Sequence, residues 1–184
     1  MESSPRTHVA ILRCVLALAA TAVAAPSLAE SSLSPPAGVA PLVIPFSIDR
    51  RLPHDLRPTL EEAARKLGDS RCQEILTDFV DASGRRLDVN LAAIGQTVPS
   101  YLGFVLFYDG RGTRPCADRN VLAWTTPGSR AVSICWDQFA ASQRTNVGFA
   151  ADIIIHEALH TLGLGENPPD ARLIAAQVVA RCGR

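Results

Sequence analysis

Residues 156–166 read His-Glu-Ala-Leu-His-Thr-Leu-Gly-Leu-Gly-Glu. His156 and His160 stand four apart, so on a helix they project from one face, one turn apart. Two imidazole nitrogens placed this way meet at a single metal ion. Glu157 adjoins the first histidine, and its carboxylate reaches a water on the open side of that ion. Two neutral imidazoles, a polarising cation and a carboxylate able to move a proton are the parts of metal-assisted hydrolysis.

The chemistry requires the segment to be helical. Ala150 to Leu162 is apolar apart from Asp152, the motif residues and Thr161, which predicts a mostly buried helix. Asn146 serves as its N-cap, and Gly163 and Gly165 break it just after the second histidine. Asp152 lies four residues before His156 on the same face. It is read as an exposed polar residue near the first turn, in preference to a support for a metal ligand.

In these residues the chain resembles the zincin metallopeptidases. The stretch is similar to the metzincin pattern HExxHxxGxxH, with Gly163 on the glycine where the chain turns. Glu166 occupies the third-ligand position in place of histidine. The resemblance implies a Zn2+ ion held by His156, His160 and Glu166, with Glu157 as the general base that activates a zinc-bound water. The pattern departs from metzincins in lacking a methionine turn, because Met1 is the only methionine. The resemblance therefore implies a compact zincin-like domain and not a standard metzincin. Two further acidic or imidazole groups compete for the third position, Asp170 and His54. Asn167-Pro168-Pro169-Asp170 reads as a helix start, with Asn167 as N-cap and Asp170 favoured by the helix dipole. His54, beside Pro53, is expected to face solvent.

The elements that must position this site follow from pattern. Thr59 to Leu67 and Arg71 to Val80 have helical spacing, and Leu87 to Ile94 is a short helix. Tyr101 to Tyr108 is aromatic and β-branched and reads as a strand stopped by Asp109-Gly110. Val121 to Thr125 and Ala131 to Cys135 read as two more strands, joined at Thr126-Pro127-Gly128-Ser129 by a type II turn. A final helix runs from about Pro168 to Arg181. Three strands and several helices predict an α+β fold, a small twisted sheet packed on the metal-binding helix. The zincin resemblance adds a role for Val121–Thr125, as an edge strand that aligns an extended peptide. Tyr101, Tyr108, Trp124 and Trp136 are read first as core residues, although a tyrosine beside the metal would stabilise an oxyanion.

Residues 1–29 read as a secretory signal: Arg6 and Arg13, then the apolar run Cys14 to Ala25, then Ser27-Leu28-Ala29 as a cleavage site. Residues 30–54 are rich in Pro and Ser and read as a linker or arm, leaving 55–184 as the zincin-like domain. Removal of the signal leaves four cysteines. In an exported domain these predict two disulfides, for which three pairings are open; Cys116–Cys135, closing the loop between neighbouring strands, with Cys72–Cys182 is favoured, and the location is read as secreted or periplasmic, bacterial. The formal charge is zero and Lys66 is the only lysine, so there is no basic cluster for nucleic acid. No stable membrane anchor is expected after signal cleavage. The expected function is an exported zinc metallopeptidase acting on a peptide or protein. The alternative is a zinc-binding, non-catalytic protein on the same scaffold.

Overall fold

The computed structural model describes residues 44–53, 55–166 and 168–183. The expected signal segment, most of the arm, His54 and Asn167 lie outside the described residues. The elements begin with strand β1 (Ser47–Ile48) and helices α1 (Leu56–Leu67), α2 (Ser70–Gln73), α3 (Ile75–Asp78), α4 (Leu87–Ala93) and α5 (Tyr101–Phe104). Strand β2 (Leu106–Asp109), β3 (Ala123–Thr125) and β4 (Ala131–Ile134) follow, then α6 (Trp136–Thr145), α7 (Val147–Thr161) and α8 (Ala171–Cys182). The fold is α+β. The sheet is mixed, in the order β1-β2-β4-β3. β1, β2 and β4 run parallel and β3 runs antiparallel to β4 at the edge.

The metal-motif helix is the structural centre. α7 packs against α1, α6, α8 and strands β3 and β4. Ile154, Ile155 and Leu159 are sealed in the core with Leu60, Phe107, Ile134 and Phe139. Full burial of each such side chain stabilises the fold by about 1.5–3 kcal/mol. The helix is therefore held from several sides before any ligand is considered.

Asp152 does not face solvent. Lys66 Nζ on α1 donates to Asp152 Oδ1 at 2.5 Å and to the Gly148 carbonyl at 2.9 Å. The side chains are only 5% and 11% exposed. The chain's single lysine is thus spent on a buried clasp between α1 and α7, which overturns the exposed reading of Asp152.

Other boundaries shift for local reasons. α1 begins at Leu56, three residues early, because Pro58 sits within the first turn, where its missing N–H costs nothing. Arg71 to Val80 divides into α2 and α3. Asp69 caps α2 by accepting from Arg71 N and Cys72 N, and the chain is extended again by Phe79. Tyr101 to Tyr108 also divides, into helix α5 and strand β2. A Cβ on Gly103 would stand 3.0 Å from Ile44 Cγ2 and 3.2 Å from the Pro45 carbonyl, so α5 packs closely against residues 44 and 45 at that point. The expected linker does not extend to residue 54, because Ser47–Ile48 joins the sheet and Leu52 is buried. α8 starts at Ala171 and not at Pro168, with Asp170 itself as the N-cap.

Both expected disulfides are present. Cys72–Cys182 ties α2 to the end of α8, and Cys116–Cys135 ties the β2–β3 connection to the end of β4. Two such bonds fit an oxidising compartment. Among the described residues no helix is long and apolar enough to cross a membrane.

Candidate metal centre

The site is assembled by one helix and the turn that ends it. Asn146 caps α7, its side chain accepting from Phe149 N at 3.0 Å. At the other end Gly163 adopts φ +104°. Gly163 N then reaches the His160 carbonyl at 2.9 Å and Leu164 N the Leu159 carbonyl at 3.2 Å. This paired closure is the Schellman form of helix ending. A side chain at 163 is excluded twice, by backbone conformation and by Asp81 Cβ, 3.2 Å from where its Cβ would lie. Asn90 Nδ2 braces the same turn, donating to Asp81 Oδ2 and to the Leu162 carbonyl, each at 2.9 Å.

The reversed chain returns beside the histidines. The ring nitrogen Nδ1 of His160 lies 2.7 Å from the Leu164 carbonyl. A carbonyl only accepts, so Nδ1 carries the proton and Nε2 presents a lone pair. Two residues further on, Glu166 Oε1 stands 3.2 Å from His160 Nε2 and 3.8 Å from His156 Nε2. The two Nε2 atoms are 3.1 Å apart. All three atoms lie within 4.8 Å of one another. Three donors of a tetrahedral zinc shell are separated by about 3.3 Å when each bond is about 2.0–2.1 Å. The observed triangle brackets that spacing, so this group fits a divalent cation.

Electrostatics favour the same state. Burial, with His160 second, pushes His156 down to about 4, so it is a neutral imidazole, the ligand form, at neutral pH. Burial, with the Glu166 charge second, pushes Glu157 up to about 8. Glu157 is thus a carboxyl with high proton affinity beside the ligand group, as a general base or acid requires.

The ligands open on a cleft of about 620 Å³. It is bounded by α7, by the segment Asn120–Thr125 containing β3, and by Ala171, Arg172 and Ala175 of α8. The turn between β3 and β4 is the one expected: Gly128 has φ +77° and Ser129 N donates to the Thr126 carbonyl at 2.8 Å. Gly128 N also donates to the His160 carbonyl at 2.8 Å, which docks the hairpin on the ligand helix.

His156, Glu157, His160 and Glu166 are therefore brought together as the sequence predicts. Asp170 does not join them, because its carboxylate is spent capping α8 at Leu173 N, 2.8 Å away. Tyr101 is a core residue: its hydroxyl is 2.6 Å from Thr161 Oγ1 and burial pushes it up to about 12. Trp136 packs on the core. Tyr108 is exposed, and Trp124 lines the cleft, against the core expectation for both. Arg172 and Asn90 were not legible as site residues. Neither carries a local motif: Asn90 acts through bonds to Asp81 and Leu162, and Arg172 borders the cleft only through the placement of α8. Comparison of the chain with protein-family models, curated proteins and solved structures finds no match.

Proposed function

We infer that the protein is an exported zinc metallopeptidase with a compact zincin-like domain, acting on peptide or protein substrates. The observation that carries this reading is the convergence of His156 Nε2, His160 Nε2 and Glu166 Oε1 at the mouth of a cleft that also contains Glu157. Two imidazoles and one carboxylate are a catalytic zinc set, which leaves a fourth position open. When bound there, zinc supplies Lewis acidity and brings the pKa of a coordinated water toward about 7.

The chain's own residues supply the rest. The Leu164 carbonyl holds His160 in the tautomer whose Nε2 is a ligand. Glu157 takes a proton from the attacking water at its carboxylate and gives it to the leaving amine. Its burial supports that role by raising its proton affinity toward that of the groups it serves. Among the described residues β3 pairs only with β4, so its outer edge offers backbone N–H and C=O groups to an extended peptide. The two disulfides support an extracytoplasmic location, with residues 1–29 as the export signal.

The test combines metal analysis of purified, oxidised protein with digestion of a broad peptide library, a chelator control and Glu157→Gln. One zinc per chain, chelator-sensitive cleavage, and a Glu157→Gln variant that keeps zinc while losing most hydrolysis are expected. Cleavage by Glu157→Gln at the wild-type rate removes the general-base role. Zinc binding with no cleavage of any peptide replaces the peptidase reading with a non-catalytic zinc protein.

A further inference from the structure

The charges lining the cleft are unequal in their uses. Glu166 belongs to the ligand group and Glu157 adjoins it. The remaining charged side chain on the lining is Arg172, near the start of α8. Around it the wall is largely apolar, with Val121, Leu122, Trp124, Phe149 and Ile153. Arg172 is exposed and, among the described residues, makes no hydrogen bond or ion pair. Arg51, Arg65, Arg86, Arg111 and Arg181 each grip a carboxylate, whereas Arg172 borders the cleft without one among the described residues. Asp170, two residues before Arg172, is engaged with Leu173 N.

The guanidinium of Arg172 is the positively charged side chain among the described lining residues, set on a largely apolar wall. A planar guanidinium presents paired donors that match a carboxylate. We propose that Arg172 is the specificity-determining residue of this cleft and that it binds a carboxylate of the substrate, at either the peptide C-terminus or an Asp or Glu side chain. The proposal rests on the reading of the cleft as a peptide site and adds the substrate class. An acidic peptide satisfies both features of the lining, its charge on Arg172 and its apolar neighbours on Trp124 and Phe149.

Binding decides the proposal whether or not cleavage occurs. Zinc-loaded Glu157→Gln protein is titrated calorimetrically with matched peptides: free C-terminal acid against C-terminal amide, and internal Asp or Glu against Asn or Gln. A charge-assisted contact predicts about tenfold or greater preference for the carboxylate member of one pair. The pair showing it identifies the source of the carboxylate. Arg172→Ala is expected to collapse that preference, Arg172→Lys to restore part of it, and Arg172→Glu to reverse it toward basic peptides. Because Arg172 is exposed and makes no internal bond, these variants keep the fold, which an unchanged zinc stoichiometry verifies. Equal affinity within both pairs, or a preference surviving Arg172→Ala, overturns the proposal. Failure of the peptidase reading is seen separately, as absence of cleavage by the wild-type protein.

Discussion

Replacing Lys66 with methionine leaves the Asp152 carboxylate buried without its counter-charge. Lys66 Nζ is the only hydrogen-bond donor to that carboxylate among the described residues, at 2.5 Å. Both side chains are nearly sealed, at 5% and 11% exposure, so water does not replace the lost partner. Breaking a buried pair from one side costs about 3–5 kcal/mol. That is a large share of the roughly 5–15 kcal/mol that holds a typical domain together. The melting temperature should fall on the order of 10 °C. Removing both charges has a different effect. Lys66→Met with Asp152→Leu fills the same space with apolar groups, recovers the desolvation cost of both ions and should return stability to about the wild-type value or above. The assay is equilibrium urea unfolding of the oxidised, zinc-free protein, with the wild type and both single variants in one series. A loss below about 1 kcal/mol for Lys66→Met would show that the pair behaves as a surface contact. A double variant no better than the single would show that the clasp acts through shape and not charge.

Three further outcomes follow from the site and its supports. Glu166→Ala should weaken zinc binding by about 100-fold or more in a chelator competition, whereas Asp170→Asn, which keeps the cap, should leave it near wild type; equal losses would return Asp170 to the ligand set. Loss of Cys72–Cys182, which spans 110 residues, should cost about 4–5 kcal/mol in urea unfolding, against about 3 kcal/mol for Cys116–Cys135; a larger loss for the shorter loop would contradict the chain-entropy account. Glu157 is raised from 4.5 to about 8 in the folded protein, so the native state holds its proton more tightly than the unfolded chain. The zinc-free protein should therefore lose stability as pH rises from about 4.5 toward 8, and denaturation curves across that window should flatten in Glu157→Gln.

The ligand group was legible in the sequence because its geometry is local. A four-residue spacing on a helix and a glycine-bearing turn lie within eleven residues, and helix periodicity with capping is enough to bring His156, His160 and Glu166 together. The Thr126–Ser129 turn was readable for the same reason, since proline and glycine impose its angles by themselves. What escaped is what the rest of the fold imposes. α5 is a single helical turn although its aromatic composition favours a strand, and Gly103 within it lies close against Ile44 and Pro45, far away in the sequence. Helix α6 was passed over because only Phe139 and Ala140 of its ten residues are buried, too few to make a periodic stripe. β1 is two residues long, too short to show an alternating pattern, and its place in the sheet comes from pairing with β2. Asp152 was misplaced because its partner is 86 residues away.

The bond from Gly128 N to the His160 carbonyl joins the hairpin that borders the groove to the peptide unit of a candidate ligand. Outward movement of the hairpin would have to break that backbone bond. If a guest orders the hairpin and a cation orders His160, linkage requires each to change the other's affinity by the same factor. Measuring zinc affinity with the groove filled and empty tests this, and equal affinities would show that the bond transmits nothing.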